Sequence, residues 1–142
     1  MVLADGFYSQ AYRDGQYRTI KVETFTEGKL AKKTVLSIQV NEKWTGIAFL
    51  EAKNYLVFWR KFRDSNPPMR LLRIQEAVLN IARQPDKAQL AYAIKENRCA
   101  RCGQVLTVSP NLNGGLGSEC AGRARWRKGK KQAVFEGIRD SE

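Results

Sequence analysis

The chain has 142 residues, with 25 lysines and arginines against 14 aspartates and glutamates, three cysteines and no histidine. With 43% hydrophobic and 27% charged residues, its composition is neither disordered nor collagen-like, and its length suits one domain with or without an appendage. The absence of histidine excludes Ser-His-Asp and Cys-His catalysis, histidine-ligated metal sites and histidine general bases.

The sequence contains no stretch typical of a membrane span. Its longest uncharged apolar run, residues 55–59, is far shorter than the roughly 20 residues that a spanning helix needs. The first six residues lack the charged head and apolar centre of a signal peptide. We therefore expect a cytoplasmic protein that does not associate with membranes.

The first 62 residues have the pattern of an antiparallel sheet. Tyr8 and Tyr12, before Asp14-Gly15, favour a first strand, and residues 20–23 alternate apolar and polar side chains as a second would. Residues 35–40 and 46–50 are the third and fourth candidate strands. Asp14-Gly15 and the segments 27–29 and 41–43 are typical of turns. Residues 54–62 predict a fifth strand, with a helix as the alternative. Successive strands joined by short turns favour an antiparallel meander or small barrel over residues 1–64.

The pattern changes after the Pro-containing breaker at residues 64–68. Leu71, Ile74, Val78 and Ile81 form one stripe of a helix that runs to about Arg83. Pro85 suits the first position of a second helix. The sequence therefore predicts an α+β protein with a helical hairpin, residues 65–96, packed on the sheet.

All three cysteines lie in the third stretch, as Cys99-x-x-Cys102-Gly103 and Cys120, with 17 residues between Cys102 and Cys120. A redox pair is disfavoured because no βαβ pattern surrounds it, and a disulfide because of the expected cytoplasmic location and the odd count. A Cys-x-x-Cys turn aims both sulfurs at one centre, which favours Zn²⁺. Residues 105–108 suit the second arm of the hairpin, and Ser118 suits the N-cap of a helix that starts near Cys120. The spacing predicts a treble-clef-like zinc knuckle over residues 97–127.

Three cysteines leave this site one ligand short, because structural zinc normally takes four. Arg123 stands where the fourth ligand of a treble clef is expected and cannot bind metal. Glu119 and Asp140 are carboxylate candidates, and a water, a terminal group or a partner chain are alternatives. An open position is also the pattern of catalytic zinc, but Glu119 is the only acid or base near the cysteines in sequence.

The cysteine segment resembles a small zinc-binding domain of unknown function that is common in bacteriophage proteins. The residues that carry the resemblance are 99–107 and 115–120, with Gln104 where the family usually has Arg and Ser118 where it usually has Pro. Segments 6–8, 17–22, 46–49 and 58–62 and the helix with Asp86, Ala88 and Tyr92 are similar to the region that often precedes that domain. The resemblance implies a phage-encoded protein that binds zinc through three cysteines, and it implies no reaction.

Positive charge is concentrated around and after the cysteines. Residues 1–97 carry 16 basic and 10 acidic side chains, residues 98–132 carry eight and one, and the last ten residues have a net charge of −2. Basic residues with an interleaved tryptophan are typical of binding to single-stranded or structured nucleic acid. The candidate contacts are Arg98, Arg101, Arg123, Arg125, Trp126, Arg127, Lys128, Lys130 and Lys131. The alternative for this segment is a solvated basic tail, with Trp126 packed back onto the zinc module. Residues 128–142 are expected to form a basic and then acidic tail after the module.

These observations predict a non-catalytic, zinc-stabilised accessory protein that binds nucleic acid and has no small-molecule cofactor. The alternative is a phage protein that modulates a host enzyme or defence complex through protein contacts. Aromatic residues are enriched at interfaces, and the candidates here are Tyr8, Tyr12, Trp44, Tyr55 and Trp59, although each also suits a small β core. An enzyme is disfavoured because Gly114-Gly115-Leu116-Gly117 lacks the following Lys-Ser/Thr of a phosphate-binding loop.

Overall fold

The protein is an α+β structure in which a five-stranded antiparallel sheet is followed by three helices. The computed structural model describes residues 2–11, 17–111, 114–117 and 120. The strands are β1 (Gly6–Ala11), β2 (Tyr17–Thr24), β3 (Thr34–Val40), β4 (Lys43–Leu50) and β5 (Leu56–Phe58); the helices are α1 (Arg60–Asp64), α2 (Pro68–Arg83) and α3 (Pro85–Glu96).

The strands pair in chain order, β1-β2-β3-β4-β5, so the predicted meander is confirmed. Within the described part of the chain, β1 and β5 do not pair with each other, and the sheet is open rather than a barrel. Asn41 and Glu42 both have positive φ, at 52° and 68°, which is the two-residue turn that matches the twist of an antiparallel hairpin. This turn lets β4 begin at Lys43, before the predicted start at Gly46. The predicted turn at Asp14-Gly15 lies outside the described residues.

The predicted fifth strand is shorter than residues 54–62. Lys53 and Asn54 have positive φ, so extended structure starts only after them. Trp59 donates its backbone N–H to the Ile47 carbonyl, at 2.8 Å, and α1 starts at the next residue. Residues 54–62 therefore contain a strand of three residues and the first three residues of α1, so each predicted alternative holds for part of the segment.

The main core lies between one face of the sheet and α2. Leu36 and Ala48 are partners across β3 and β4, and the next pair is Ser37 with Gly46, which leaves Ile47 as the extra residue of a β-bulge. Because of the bulge, Ile47 and Ala48 are both fully buried although they are consecutive in a strand. They pack with the predicted stripe of α2, whose Ile74, Val78 and Ile81 are also buried.

Helix α3 lies along β1, the first strand of the sheet. Its Ala88 belongs to the main core, whereas Tyr92 stacks on Phe7 of β1 with ring centroids 4.9 Å apart. Pro85 occupies the first turn of α3, as predicted, and α2 begins with Pro68 in the same way. The end of α3 therefore delivers the cysteine segment to the edge of the sheet at β1.

Candidate metal centre

The cysteine segment starts with a sharp turn at the end of α3. Asn97 adopts the left-handed conformation, with φ 53°, and donates its N–H to the Ala93 carbonyl at 2.7 Å. Asparagine tolerates this conformation better than most residues, which explains why the helix stops here. The chain then reverses, and Cys99 follows two residues later.

A short hairpin carries Cys99 and Cys102, with its second arm at Val105, as the sequence predicts. Arg98 and Val105 form an antiparallel bridge, and Cys99 donates its N–H to the Gln104 carbonyl at 2.8 Å. Leu106 closes the hairpin by donating its N–H to the Asn97 carbonyl at 2.9 Å. Backbone hydrogen bonds therefore hold the two cysteines on one tight turn.

The three cysteine sulfurs converge. The Sγ atoms of Cys99, Cys102 and Cys120 all lie within 4.8 Å of one another. Cys99 is 1% exposed and Cys120 is 5% exposed, whereas Cys102 faces solvent. Ala93, Leu106 and Leu116 pack around the two buried sulfurs. The arrangement is a half-buried trio of sulfur donors on which a metal ion can be held.

The surroundings of Cys99 and Cys120 shift the pKa values of their thiols in opposite directions. Burial raises the pKa of the Cys99 thiol, but the N–H groups of Gly117, Cys102 and Arg101 donate to its sulfur and bring its pKa down to about 7. Burial, followed by hydrogen bonding to the other two sulfurs, raises the pKa of the Cys120 thiol to about 12. The arrangement therefore stabilises negative charge on the Cys99 sulfur and keeps Cys120 protonated. A bound cation would displace the Cys120 proton.

The hairpin is docked on β1. Phe7 of β1 donates its N–H to the carbonyl of Ala100, between the first two cysteines, at 2.6 Å. The approach is so close at Gly6 that a Cβ there would lie 2.8 Å from the same carbonyl oxygen. The Phe7 ring lies against Gly103, just after Cys102. The turn that carries Cys99 and Cys102 is thus attached to the edge of the sheet by backbone pairing and by a buried ring.

The glycine-rich segment forms the other side of the module. Ala100 donates its N–H to the Gly115 carbonyl at 2.8 Å, and Gly115 donates its own N–H to the Pro110 carbonyl at 2.9 Å. Gly115 has φ 94°, and a Cβ there would lie 2.9 Å from the Gln89 carbonyl oxygen on α3. Glycine is needed because this loop passes directly over the backbone of a helix.

Two of the predicted nucleic-acid contacts are described, and they differ. The Arg98 guanidinium donates to the Gly103 carbonyl at 2.9 Å, so it supports the hairpin that carries the cysteines. Arg101 lies between the first two cysteines and is exposed. The other seven candidates lie outside the described residues: Arg123, Arg125, Trp126, Arg127, Lys128, Lys130 and Lys131. The carboxylate candidates Glu119 and Asp140, the N-cap candidate Ser118 and the predicted helix after Cys120 lie outside them too.

The aromatic residues considered for a protein interface have different surroundings. Tyr8 is buried in the main core, where its hydroxyl donates to the Ala4 carbonyl at 2.5 Å. Trp44 and Trp59 are half-buried, and Tyr55 is exposed. Tyr12 lies outside the described residues. Tyr8 therefore contributes to packing, and Tyr55 has the most accessible ring of the four that are described.

The sequence alone did not identify the residues that hold the cysteine hairpin against β1. Gly6 and Phe7 precede the cysteines by more than 90 positions, and Tyr92 is separated from them by the end of α3. The local signals are a glycine at the start of a strand and an aromatic residue on a helix. Neither signal identifies its partner.

No protein-family model, curated protein or solved structure matches the chain. In the described part of the chain, no helix combines the length and hydrophobicity needed to cross a membrane. The cytoplasmic location and the resemblance to the phage zinc-binding domain remain predictions.

Proposed function

We propose that Cys99, Cys102 and Cys120 bind one structural Zn²⁺ and that the protein is a non-catalytic nucleic-acid-binding accessory protein, encoded by a phage. The observation that carries the metal proposal is the convergence of the three Sγ atoms within 4.8 Å of one another. Thiolates are preferred zinc ligands, and N–H donors to a sulfur are the usual second layer of such sites. The Arg101 N–H, 3.4 Å from the Cys99 sulfur, is one donor of this kind.

A structural role fits the surroundings of the centre better than a catalytic one. Two of the three sulfurs are buried, and Ala100, between the first two cysteines, pairs with both Phe7 and Gly115. A metal here would join the end of α3, the β1 edge and the glycine-rich loop at one point. The fourth position would be filled by Glu119, by another group of the chain, by water or by a partner.

The nucleic-acid part of the proposal is supported by charge. The segment 98–132 has a net charge of +7, with eight basic residues against one acidic residue, and the centre would hold its first part in place. Arg101 projects from the turn between two ligands and is exposed. Lysine and arginine side chains that neutralise phosphates give binding that weakens steeply with salt and depends little on sequence.

Native mass spectrometry of freshly purified protein tests the metal directly. We expect one zinc per chain in the wild type and none in Cys99→Ser, because the buried sulfur has no substitute. Ser9→Ala, which removes a buried hydroxyl within the sheet, serves as a folded control and should keep its zinc. A metal-free wild-type mass with three free thiols contradicts the proposal.

Fluorescence anisotropy with labelled oligonucleotides tests the second part. We expect the affinity to fall as salt increases, and Arg101→Gln to weaken binding and to reduce the salt dependence by about one phosphate contact. Arg60→Gln, an exposed arginine on α1, is the matched control. If the protein binds neither single-stranded nor structured DNA or RNA at low salt, the nucleic-acid part of the proposal is contradicted.

A further inference from the structure

The face of the sheet opposite α2 has a composition unlike that of the helix-covered face. Strand alternation puts Leu36 and Ala48 against the helices and directs their neighbours Val35, Ser37 and Phe49 to the other side. Ser37 and Phe49 on this second face are half-buried. We call it the open face; its strand residues include Lys21, Ser37, Gln39, Trp44 and Phe49, and Trp59 covers its Gly46. At its β1 edge, Phe7 is covered by Tyr92 of α3.

Aromatic rings form a row along β4 on the open face. Trp59 lies over Gly46, where a Cβ would be 2.8 Å from the indole ring, and it meets Phe49 edge-on with centroids 5.5 Å apart. Trp44, at the other end of the strand, reaches Phe7 at 5.4 Å. Phe7 is buried, but Trp44, Phe49 and Trp59 keep part of their surface in solvent.

Two lysine ammonium groups lie close to aromatic rings of this face. The Lys33 ammonium lies 5.7 Å from the centroid of the Phe49 ring, and the Lys21 ammonium lies 5.8 Å from that of Phe7. The Lys21 ammonium also forms an ion pair with the carboxylate of Glu23, at 3.2 Å. Glu23 is exposed on the same face. Ser37, which is paired with Lys21 on one side and Gly46 on the other, and Gln39, which is paired with Trp44, add groups that donate and accept hydrogen bonds.

We propose that the open face binds single-stranded nucleic acid, with bases stacked on Trp44 and on the Trp59–Phe49 pair and phosphates held by Lys21 and Lys33. The proposal rests on the proposed function, since it presumes that the protein binds nucleic acid, and it adds a second surface to the basic segment. Partly exposed rings next to cations and amides are the combination that single-strand-binding surfaces use, because every base offers a face for stacking. Lys21 already has a counter-charge in Glu23, whereas a purely apolar partner would offer none to Lys33.

Tryptophan fluorescence separates the two surfaces, because the chain has only Trp44, Trp59 and Trp126. The probe is a thymidine homopolymer of about 12 nucleotides, within the usual site size of one such surface. We expect the probe to quench the tryptophan fluorescence of the wild type, and to bind Trp44→Leu roughly 5- to 150-fold more weakly because one base stack is lost. Trp126→Leu should keep most of the quenching.

Lys33→Gln tests the same face without disturbing a packed ring, and Lys87→Gln, an exposed lysine on α3, is its matched control. We expect about a threefold or greater loss of affinity in Lys33→Gln and none in Lys87→Gln, with circular dichroism and melting unchanged in both. A duplex of the same length should compete poorly, because its bases are already stacked, and poly-glutamate should compete poorly because it offers charge alone.

The outcomes distinguish this inference from the proposed function. If the oligonucleotide binds both Trp44→Leu and Lys33→Gln as it binds the wild type, the open face is not the site, although the protein still binds nucleic acid. Equal competition by the duplex or by poly-glutamate overturns the inference in the same way. If the wild type binds no nucleic acid, both proposals fall.

Discussion

The main core and the cysteine module bury very different amounts of apolar surface. Among the described residues, the main core unites twelve buried side chains from the sheet, α2, α3 and the N-terminal segment. The cluster around the cysteines unites Ala93, Cys99, Leu106 and Cys120. A core as large as the main core can stabilise a fold by itself, whereas a cluster as small as the one around the cysteines usually needs a metal or another cross-link. The main core can therefore be stable through burial alone, whereas the cysteine module would depend on the proposed metal and on its contact with β1.

Removal of the proposed zinc should have the largest effect, and only on the module. Structural zinc contributes about 10–16 kcal/mol of apparent binding free energy in small zinc-finger peptides. With a strong chelator, we expect the N–H groups of Cys99 and Leu106 to lose their protection in hydrogen exchange. The N–H groups of Leu36 and Ala48, paired in the centre of the sheet, should stay protected. Equal protection of the module with and without chelator would contradict a structural metal.

Truncation of a main-core side chain should come next. Ile81 of α2 is 1% exposed, and Ile81→Ala removes three methyl or methylene groups from a packed core. We expect a loss of about 2–5 kcal/mol in the free energy of unfolding, measured in urea. Ile94→Ala on α3 is the matched control, because Ile94 is 56% exposed and its truncation should change stability by less than about 0.5 kcal/mol. If both variants lose the same stability, the main core is not where α2 packs.

Gly6→Ala should weaken the joint between the two regions. The added Cβ would lie 2.8 Å from the Ala100 carbonyl oxygen, at a φ of 152° that side chains rarely adopt. We expect a cost of about 1–3 kcal/mol and faster loss of zinc to a chelator. Gly28→Ala has a positive φ as well, but its Cβ would meet nothing within 4 Å. Faster zinc loss in Gly6→Ala than in Gly28→Ala isolates the contact, and equal rates would show that the docking does not support the centre.

Tyr92→Leu should have the smallest effect of the four. The substitution keeps an apolar side chain and removes the stack of Tyr92 on Phe7, which is worth about 0.5–1.5 kcal/mol beyond the area that it buries. Thermal melting followed by circular dichroism measures the change. Tyr55→Leu, at an exposed tyrosine, is the control and should leave the melting temperature unchanged. An unchanged melting temperature in Tyr92→Leu would mean that the stack does not help to seat the module.

The sequence alone determined the elements whose cause is local. Alternation and turn residues predicted the strands, the stripe from Leu71 to Ile81 predicted α2, and Pro85 predicted the start of α3. The Cys-x-x-Cys spacing predicted that Cys99 and Cys102 lie on one tight turn, because two residues between ligands leave the chain few other paths. The third sulfur was predicted to join them, and it does.

Tertiary structure decided the features that depend on partners distant in the sequence. The bulge at Ile47 appears only when β4 is aligned with β3, and it turns two consecutive residues toward the core. The position of the three cysteines on the sheet depends on the hydrogen bond from Phe7 to Ala100 and on Gly6, which allows that close approach. No local pattern records which strand edge a turn will pair with, because a backbone N–H offers the same hydrogen bond to any carbonyl. Only the path of α3 along β1 brings these groups together.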